Sequence, residues 1–243
     1  MEALEGKVAL ITGGSRGLGK AIAKLFVHEG ARVALAARRG ALLRSAADEA
    51  AAEGERPITV ICDVREESSV LAMFERVVDT FGRLDILINS AGAGWLGTTL
   101  EASVNDWDEV MNVNARGTFL CCREAVRQML TQESRGQIIN IISFQGIDSR
   151  PRVGVYGASK HAAIALTRSL AQEVQPDGIR VTALCPMPTD TEMRRELTPD
   201  RDLSSYLLPA EIAEAALFMA TRPFSAGIQE LIVGLNRRWG GIG

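Results

Sequence analysis

Seven short apolar runs alternate with six helical patterns along almost the whole chain, which has 243 residues. The apolar runs cover residues 7–12, 31–37, 57–62, 84–89, 136–142, 179–184 and 228–233. The helical patterns lie near 17–29, 41–53, 67–81, 106–131, 152–175 and 210–220. Because the runs are apolar throughout and alternate with helices, we expect one parallel sheet with helices on both faces. The sequence therefore predicts a doubly wound, seven-stranded α/β fold in a single domain, 1–243.

The composition argues against several classes of protein. Hydrophobic residues make up 47% and charged residues 23% of the chain, as in a globular protein. A net charge of −3 with scattered arginines gives no sign of nucleic-acid binding, and no apolar stretch approaches the roughly 18 residues of a membrane span. Four cysteines and two histidines show no metal-ligand spacing. Because the N-terminus is acidic and lacks a signal-peptide pattern, we expect a cytoplasmic protein with reduced thiols and no metal.

A glycine-rich turn follows the first apolar run. The run Lys7–Thr12 leads into Gly13-Gly14-Ser15-Arg16-Gly17-Leu18-Gly19 and then into a helical pattern. Glycines permit a tight turn, and the N-terminus of the following helix offers unpaired N–H groups to a pyrophosphate. The spacing is GxxxGxG rather than GxGxxG, and an ordinary strand-to-helix turn is the alternative. The pattern favours a dinucleotide site.

Two asparagine motifs lie where such a ligand would pass. Asn89-Ser90-Ala91-Gly92 follows an apolar run directly, and small residues at the carboxyl end of a strand let a cofactor lie close. Asn114 falls within the helical pattern 106–131, where it could hold a water. Taken alone, the first motif would more often be a plain strand-end turn, and the second a plain polar position on a helix.

A tyrosine and a lysine four residues apart form a candidate proton donor. Tyr156 and Lys160 share one face of a predicted helix, and Ser143 closes an apolar run 13 residues before Tyr156. An adjacent lysine cation favours the phenolate and would lower the tyrosine pKa toward neutrality. The pattern YxxxK is weak evidence alone, and the other motifs strengthen it.

Together these motifs resemble the short-chain dehydrogenase/reductase family in its compact, single-domain form, which implies a Rossmann-like fold and a nicotinamide cofactor. The match runs from about residue 7 to 233. The family's cofactor glycine motif falls on Thr12, Gly13, Gly17 and Gly19. Its Asn-Asn-Ala-Gly motif falls on 89–92, with Ser90 in place of the second Asn. Its adenine-contacting Asp falls on Asp63, followed by Val64, and its catalytic tetrad on Asn114, Ser143, Tyr156 and Lys160.

The second strand carries information about cofactor choice. It ends in Ala36-Ala37-Arg38-Arg39, and no acid occurs between Gly30 and Asp48. An acid would bind the ribose 2′-OH of NAD, whereas arginine meets a 2′-phosphate. Arg38 and Arg16 could clamp one phosphate, with Arg39 as the substitute, or they are two solvated arginines. The sequence favours NADP(H).

The predicted cofactor contacts combine these arginines with the family motifs. They are Gly13, Ser15, Arg16, Gly17, Leu18, Gly19, Arg38, Arg39, Asp63, Val64, Asn89, Ala91, Gly92, Tyr156, Lys160, Pro186, Thr189 and Thr191. One position departs from the family, because Met187 stands where the family has glycine after Pro186. A residue with a Cβ avoids positive φ, so the local backbone conformation is in doubt, and the side chain would narrow the pocket.

These residues predict reversible hydride transfer between NADP(H) and a carbonyl/alcohol pair. Tyr156 is expected to protonate the developing alkoxide while Ser143 hydrogen-bonds the carbonyl oxygen. The resemblance further implies that Lys160 lowers the tyrosine pKa and binds the nicotinamide ribose, and that Asn114 positions a water. Two alternatives stay open. One is reduction of 3-oxoacyl carrier-protein thioesters, although Asp177 stands where members with that activity often carry arginine; the other is a non-catalytic NADP(H) sensor.

The substrate and the oligomeric state are less constrained. The candidate pocket residues are Ala93–Leu96, Phe144–Ile147, Arg150, Arg152 and Met187–Met193. Any of them could instead fill the core. The segment 192–206 should cover a small-molecule substrate. The helical patterns 106–131 and 152–175 carry a wide apolar arc, which predicts a homo-oligomer, a tetramer or a dimer. The apolar residues of that arc include Phe119, Leu120, Val126, Met129, Ile164, Leu166 and Leu170. The tail 235–243 either docks on a neighbouring subunit or stays mobile.

Overall fold

A computed structural model describes residues 2–133 and 135–235 of the chain. Its seven strands form one parallel sheet in the order β3-β2-β1-β4-β5-β6-β7. The strands are β1 (Val8–Thr12), β2 (Arg32–Ala37), β3 (Ile58–Ile61), β4 (Ile86–Asn89), β5 (Gln137–Ile141), β6 (Arg180–Pro186) and β7 (Glu230–Val233). The predicted doubly wound α/β fold is confirmed. The order of strands reverses between β1 and β4, so the carboxyl ends of these strands open a crevice for a ligand.

Eight helices surround the sheet within the described residues. They are α1 (Gly17–His28), α2 (Gly40–Ala50), α3 (Glu67–Phe81), α4 (Val104–Met111), α5 (Gly117–Leu130), α6 (Gly154–Val174), α7 (Glu192–Leu197) and α8 (Pro209–Thr221). Alternate residues of β1 face opposite sides, and both sides are buried. Ala9 and Ile11 pack with the core of α1, α2 and α8, whereas Val8 and Leu10 pack with the core of α3 and α5. Continuous apolar strands therefore suit this sheet, as expected.

The predicted helix 106–131 is not one regular helix. Helix α4 begins after a capping box, in which Ser103 and Asp106 satisfy each other's backbone N–H groups. A π-helical turn, Asn112–Arg116, then separates α4 from α5. Such turns insert an extra residue into a helix and occur frequently at functional sites. Here the turn carries Asn114.

Two further results concern the chain beyond the core. No helix within residues 2–133 and 135–235 combines the length and apolarity needed to cross a membrane. The tail prediction falls almost entirely on residues 236–243, which lie outside the described part of the chain.

Candidate active site

A cavity of about 630 Å³ opens at the carboxyl ends of the central strands. One end is lined by Arg38 and Asp63, beyond β2 and β3, and the middle by Ser143, Tyr156 and Lys160. The far end lies under α7. The cavity therefore joins the predicted dinucleotide site to the predicted proton donor in one continuous space.

The glycine loop packs directly against the turn after β4. A Cβ on Gly13, whose φ is +67°, would come within 2.8 Å of the Ala91 backbone, and a Cβ on Gly19 would meet the Gly13 carbonyl oxygen at 2.5 Å. The Thr12 hydroxyl accepts hydrogen bonds from the N–H groups of Ser90 at 3.1 Å and Ala91 at 3.2 Å. This backbone cradle has the shape that close approach of a nicotinamide dinucleotide requires, so the residues present fit the cofactor.

Most of the predicted cofactor residues line this cavity. Those that line the cavity are Gly13, Ser15, Arg16, Gly17, Leu18, Arg38, Arg39, Asp63, Val64, Ala91, Gly92, Tyr156, Lys160, Pro186, Thr189 and Thr191. Gly19 and Asn89 lie behind the wall instead. The Asn89 amide donates to Asn140 Oδ1 at 2.8 Å, and the Asn140 amide donates to Thr167 at 2.8 Å. Asn89 thus ties β4 to β5 and α6, a supporting position rather than a contact in the cavity.

Tyr156 and Ser143 lie close together in the wall of the cavity. Ser143 follows β5, and its hydroxyl also accepts the Gln145 N–H at 3.2 Å, which fixes its position at the strand end. Burial raises the pKa of Tyr156, while the hydrogen bond from Ser143 and the cation of Arg194 act in the opposite direction. The phenol is therefore held in its protonated form, the form that an acid needs.

Lys160 is buried, with 6% of its surface exposed. Its ammonium donates to the Ile141 carbonyl oxygen at 2.9 Å and lies 5.9 Å from the centre of the Tyr156 ring. Burial lowers the pKa of Lys160 to about 8. In this arrangement the cation that acts on the Tyr156 pKa is Arg194, so the lowering of that pKa by Lys160 stays a prediction.

Asn114 lies behind the cavity and is fully buried. Its amide donates to the Ala93 carbonyl at 2.8 Å and to the Ser159 hydroxyl at 2.9 Å, and its Oδ1 accepts the Ala93 N–H at 2.9 Å. Both amide hydrogens are thus used to join the segment after β4 to α6. Only Asn114 Oδ1, which can accept a second hydrogen bond, could still bind a water, so the predicted role in holding a water stays a prediction.

Both arginines of the predicted phosphate clamp, Arg16 and Arg38, are paired with carboxylates of this chain. Arg16 pairs with Glu196 on α7, and Arg38 Nη1 lies 3.6 Å from Glu109 Oε1. Asp63 is bound by the Arg65 side chain, with 2.6 Å between Nη2 and Oδ2, and this contact lowers the Asp63 pKa. A cofactor phosphate would therefore have to draw Arg16 and Arg38 away from carboxylates.

Met187 does not adopt positive φ. Among the described non-glycine residues only Arg152 does, at 69°. The Met187 N–H instead donates to Val233 at 2.8 Å, which extends the pairing of β6 with β7. A Cβ on Gly234 would lie 2.5 Å from the Met187 sulfur, so the glycine makes room for this methionine. Met187 also lines the cavity, as expected of a residue that narrows it.

Helix α7 covers the far end of the cavity. Met193 and Leu197 pack over Gly94, and Arg194, Leu197 and Arg201 add to the wall. The sequence places a cover at 192–206 but does not single out Arg194, because nothing in the local pattern shows which residue turns inward. Thr191 caps the helix by accepting the Arg194 N–H at 3.2 Å. Of the expected pocket residues, Gly146, Ile147 and Asp190 lie outside the wall, and Asp190 pairs with Arg195 instead.

Comparisons with known proteins agree with this geometry. A family model described as short chain dehydrogenase matches residues 7–202. An oxidoreductase of Staphylococcus aureus (strain MRSA252) is 35% identical over 234 residues, which cover 96% of this chain and 99% of that protein. A 3beta-hydroxysteroid dehydrogenase of Mediterraneibacter gnavus is 37% identical over 198 residues, covering 80% of this chain and 70% of that protein.

Two solved structures share the fold. A short-chain type dehydrogenase/reductase from Mycobacterium marinum has a TM-score of 0.88 and 31% identity, covering 95% of this chain and 94% of that one. A 3-ketoacyl-(acyl-carrier-protein) reductase from Brucella melitensis, complexed with NADH, has a TM-score of 0.85 and 31% identity, covering 95% and 97%. The chain belongs to the short-chain dehydrogenase/reductase family of oxidoreductases, which bind a nicotinamide cofactor.

Proposed function

We propose that the protein is an NADP(H)-dependent oxidoreductase that interconverts a ketone and an alcohol. The observation that carries this proposal is that Ser143, Tyr156 and Lys160 line the same cavity as the glycine loop. A protein that only bound the dinucleotide would have no need of a protonated phenol beside the ligand site. These side chains also distinguish the proposal from a non-catalytic sensor.

The proposed mechanism assigns proton and charge chemistry to three side chains. In the reductive direction, Tyr156 donates its proton to the substrate oxygen as negative charge develops there. Ser143 donates a hydrogen bond to the same oxygen and stabilises that charge. The nicotinamide, when bound, supplies the hydride. Lys160, with its pKa near 8, is mostly protonated at neutral pH and holds a proton close to the tyrosine.

The proposed preference for NADP(H) rests on charge at the adenosine end of the cavity. Arg16, Arg38 and Arg39 line this end, and Ala37 occupies the last position of β2, where an acid would bind a ribose hydroxyl. The one carboxylate in the wall nearby, Asp63, is bound by Arg65. A 2′-phosphate would therefore bind Arg16 and Arg38 in place of their present partners, Glu196 and Glu109. The Brucella melitensis structure holds NADH, so this preference needs its own test.

A second candidate is the reduction of 3-oxoacyl carrier-protein thioesters. The structural neighbour from Brucella melitensis is a 3-ketoacyl-(acyl-carrier-protein) reductase, and 97% of its chain is covered. Against this candidate, Asp177 occupies the position before Gly178 where a basic residue would favour an acidic carrier protein. The two candidates differ in the substrate alone, because both use the same proton donor.

The test is to mix the purified protein with NADPH and a panel of ketones, aldehydes, quinones and 3-oxoacyl thioesters. Loss of the near-ultraviolet absorbance of NADPH measures turnover, and the same trace without a carbonyl compound is the control. We expect turnover of ketones. Binding of NADPH without turnover of any member of the panel would favour the sensor, and turnover restricted to the thioesters would favour the second candidate.

We also propose a homo-oligomer, although the apolar arc is narrower than the sequence indicates. Leu120, Met129 and Ile164 are buried in the core of the single chain, whereas Phe119 stays 42% exposed. Helix α4 adds the exposed side chain of Trp107 to the same region. Sedimentation should show a dimer or a tetramer at micromolar concentration, and a monomer would contradict the proposal.

A further inference from the structure

Helix α7 presents an arginine to the cavity with no carboxylate beside it. Arg194 lines the wall, and its Nη2 donates to the Tyr206 hydroxyl at 3.2 Å while its guanidinium lies 5.4 Å from the centre of the Tyr206 ring. Its Nε is buried and has no hydrogen-bond acceptor among the described residues. No carboxylate in residues 2–133 and 135–235 lies within ion-pair distance of this guanidinium.

The other charged residues of α7 are engaged elsewhere. Arg195 pairs with Asp190 at 2.8 Å, and Glu196 pairs with Arg16. The Glu192 carboxylate faces Gly17 in the glycine loop, where an added Cβ would lie 3.6 Å from its Oε2. Arg194 is therefore the cation of α7 that has no ion pair among the described residues. A half-buried cation gains most from an anion supplied by a ligand, because water solvates it incompletely.

The position of Arg194 places that anion beside the reacting group. Its charge acts on Tyr156, so the guanidinium lies near the phenol across the same cavity. Arg150, Arg152 and Arg201 also line the cavity, where Glu192 is an acid of the same wall and Asp148 Oδ2 lies 3.7 Å from Arg150 Nε, so cations outnumber carboxylates there. An anionic group on the substrate, attached to the part that carries the ketone, is the chemistry that this end of the cavity can bind.

The shape of the guanidinium narrows the choice of anion. Its N–H groups form a planar fork that matches the two oxygens of a carboxylate, and Nη1 and Nη2 of Arg194 carry hydrogens beyond the one donated to Tyr206. Between these charged residues, much of the wall at this end is apolar, formed by residues that include Trp95, Leu96, Phe144, Met193 and Leu197. The Gln145 Oε1 atom is buried there without a donor among the described residues, so it can accept one hydrogen bond from a hydroxyl or a water.

We propose that the substrate is an oxo acid with an apolar body, and that Arg194 binds its carboxylate while Tyr156 and Ser143 contact the ketone. This inference rests on the proposed function, because it concerns the substrate of the same site. It separates oxo acids from neutral ketones and from esters of the same size. It also makes Arg194 a specificity-determining residue.

The test compares each oxo acid with its methyl ester, using benzoylformate, benzoylpropionate and benzoylbutyrate to vary the distance between the ketone and the carboxylate. The readout is the ratio of kcat/KM for the acid to kcat/KM for the ester with NADPH. Any effect of Arg194 on Tyr156 changes both substrates alike and cancels in this ratio. For the best chain length, the wild type should favour the acid by roughly tenfold to a hundredfold, the range for a charge-assisted contact.

Three variants complete the test. Arg194→Gln should bring the ratio to within about threefold of unity, because the charge-assisted contact is lost. Arg194→Lys should give an intermediate ratio, because lysine keeps the charge but lacks the planar fork of the guanidinium. Arg195→Gln is the matched control, since it removes the same charge from the next residue of α7 outside the cavity wall, and its ratio should equal that of the wild type. A wild-type ratio near unity at every chain length, or a ratio unaffected by Arg194→Gln, would overturn the proposal.

A binding experiment separates failure of this inference from failure of the proposed function. Calorimetry with NADP⁺ present compares phenylbutyrate with phenylbutyramide, neither of which can be reduced. Tighter binding of the carboxylate, lost in Arg194→Gln, supports the carboxylate site even if no ketone is turned over, in which case the proposed function alone fails. Equal binding of the two compounds overturns the carboxylate site whatever the turnover.

Discussion

Replacing Ala37 by Asp together with Arg38 by Ala should reverse the preference for NADPH over NADH, at least in part. The Arg38 side chain is 52% exposed, and its pair with Glu109 at 3.6 Å is loose. Such an exposed pair is worth about 0.2–1 kcal/mol, whereas a charge-assisted hydrogen bond to a phosphate is worth about 1.5–3 kcal/mol. The difference, about 0.5–2.8 kcal/mol, corresponds to roughly a twofold to hundredfold preference for NADPH from this contact.

The double substitution removes that contact and adds an acceptor for the ribose hydroxyls. Asp at position 37 would also repel a phosphate, whereas Arg16 stays in place and keeps some affinity for it. The measurement is kcat/KM for each cofactor with the same carbonyl substrate. Arg44→Ala is the control, because it removes an exposed arginine of α2 that does not line the cavity. A wild type that prefers NADH, or a double variant with an unchanged ratio, would refute the phosphate clamp.

Three further predictions follow from buried contacts. Burial lowers the pKa of Lys160 from 10.5 to about 8, so the charged lysine costs the folded protein about 3 kcal/mol below about pH 8. This cost falls as the pH rises toward 10.5, so the free energy of unfolding of the wild type should rise over the same interval. In urea unfolding, Lys160→Met should be more stable than the wild type near neutral pH, and its stability should not rise in this way. Asn114→Ala should lower the free energy of unfolding by about 2–4 kcal/mol, because the three hydrogen bonds of this buried side chain are lost. The control Asn112→Ala should lower it by less than about 1 kcal/mol, and equal costs for the two variants would contradict the prediction. Gly234→Ala should cost about 1–3 kcal/mol by crowding the Met187 sulfur, and thermal unfolding should show most of that cost relieved when Met187→Ala is added.

The fold was predictable because its signal is local and repeated. Each strand is a continuous apolar run, and each helix between strands shows its own periodicity. The motifs of the site were predictable for the same reason, since the glycine loop, the turn 89–92 and the pair Tyr156 and Lys160 are each contiguous or four residues apart.

Features set by distant partners could not be read in this way. The side chain of Asn114 is held by Ala93 and Ser159, so the π-helical turn around it depends on the folded chain. Asn89 lies behind the cavity because Asn140, on the neighbouring strand, takes its amide. The inward position of Arg194 depends on the placement of α7, for which the sequence gives no local signal.

Ion pairing across the cavity is a second feature of this kind. The pair of Arg16 and Glu196 joins residues 180 apart in the sequence, so the arginine looks free for a phosphate until the fold is known. The predicted clamp therefore competes with a carboxylate on the helix that covers the site. This competition explains why cofactor preference is expected to be moderate.

The central claim is that Tyr156 supplies the proton in carbonyl reduction, and Tyr156→Phe tests it most directly. With the best ketone from the panel, single-turnover oxidation of NADPH should slow by at least about a hundredfold, the low end for loss of a positioned acid. NADPH affinity, measured by calorimetry, should stay within a few-fold, because the phenol hydroxyl does not contact the phosphates. Turnover by Tyr156→Phe within tenfold of the wild type, at unchanged NADPH affinity, would contradict the account.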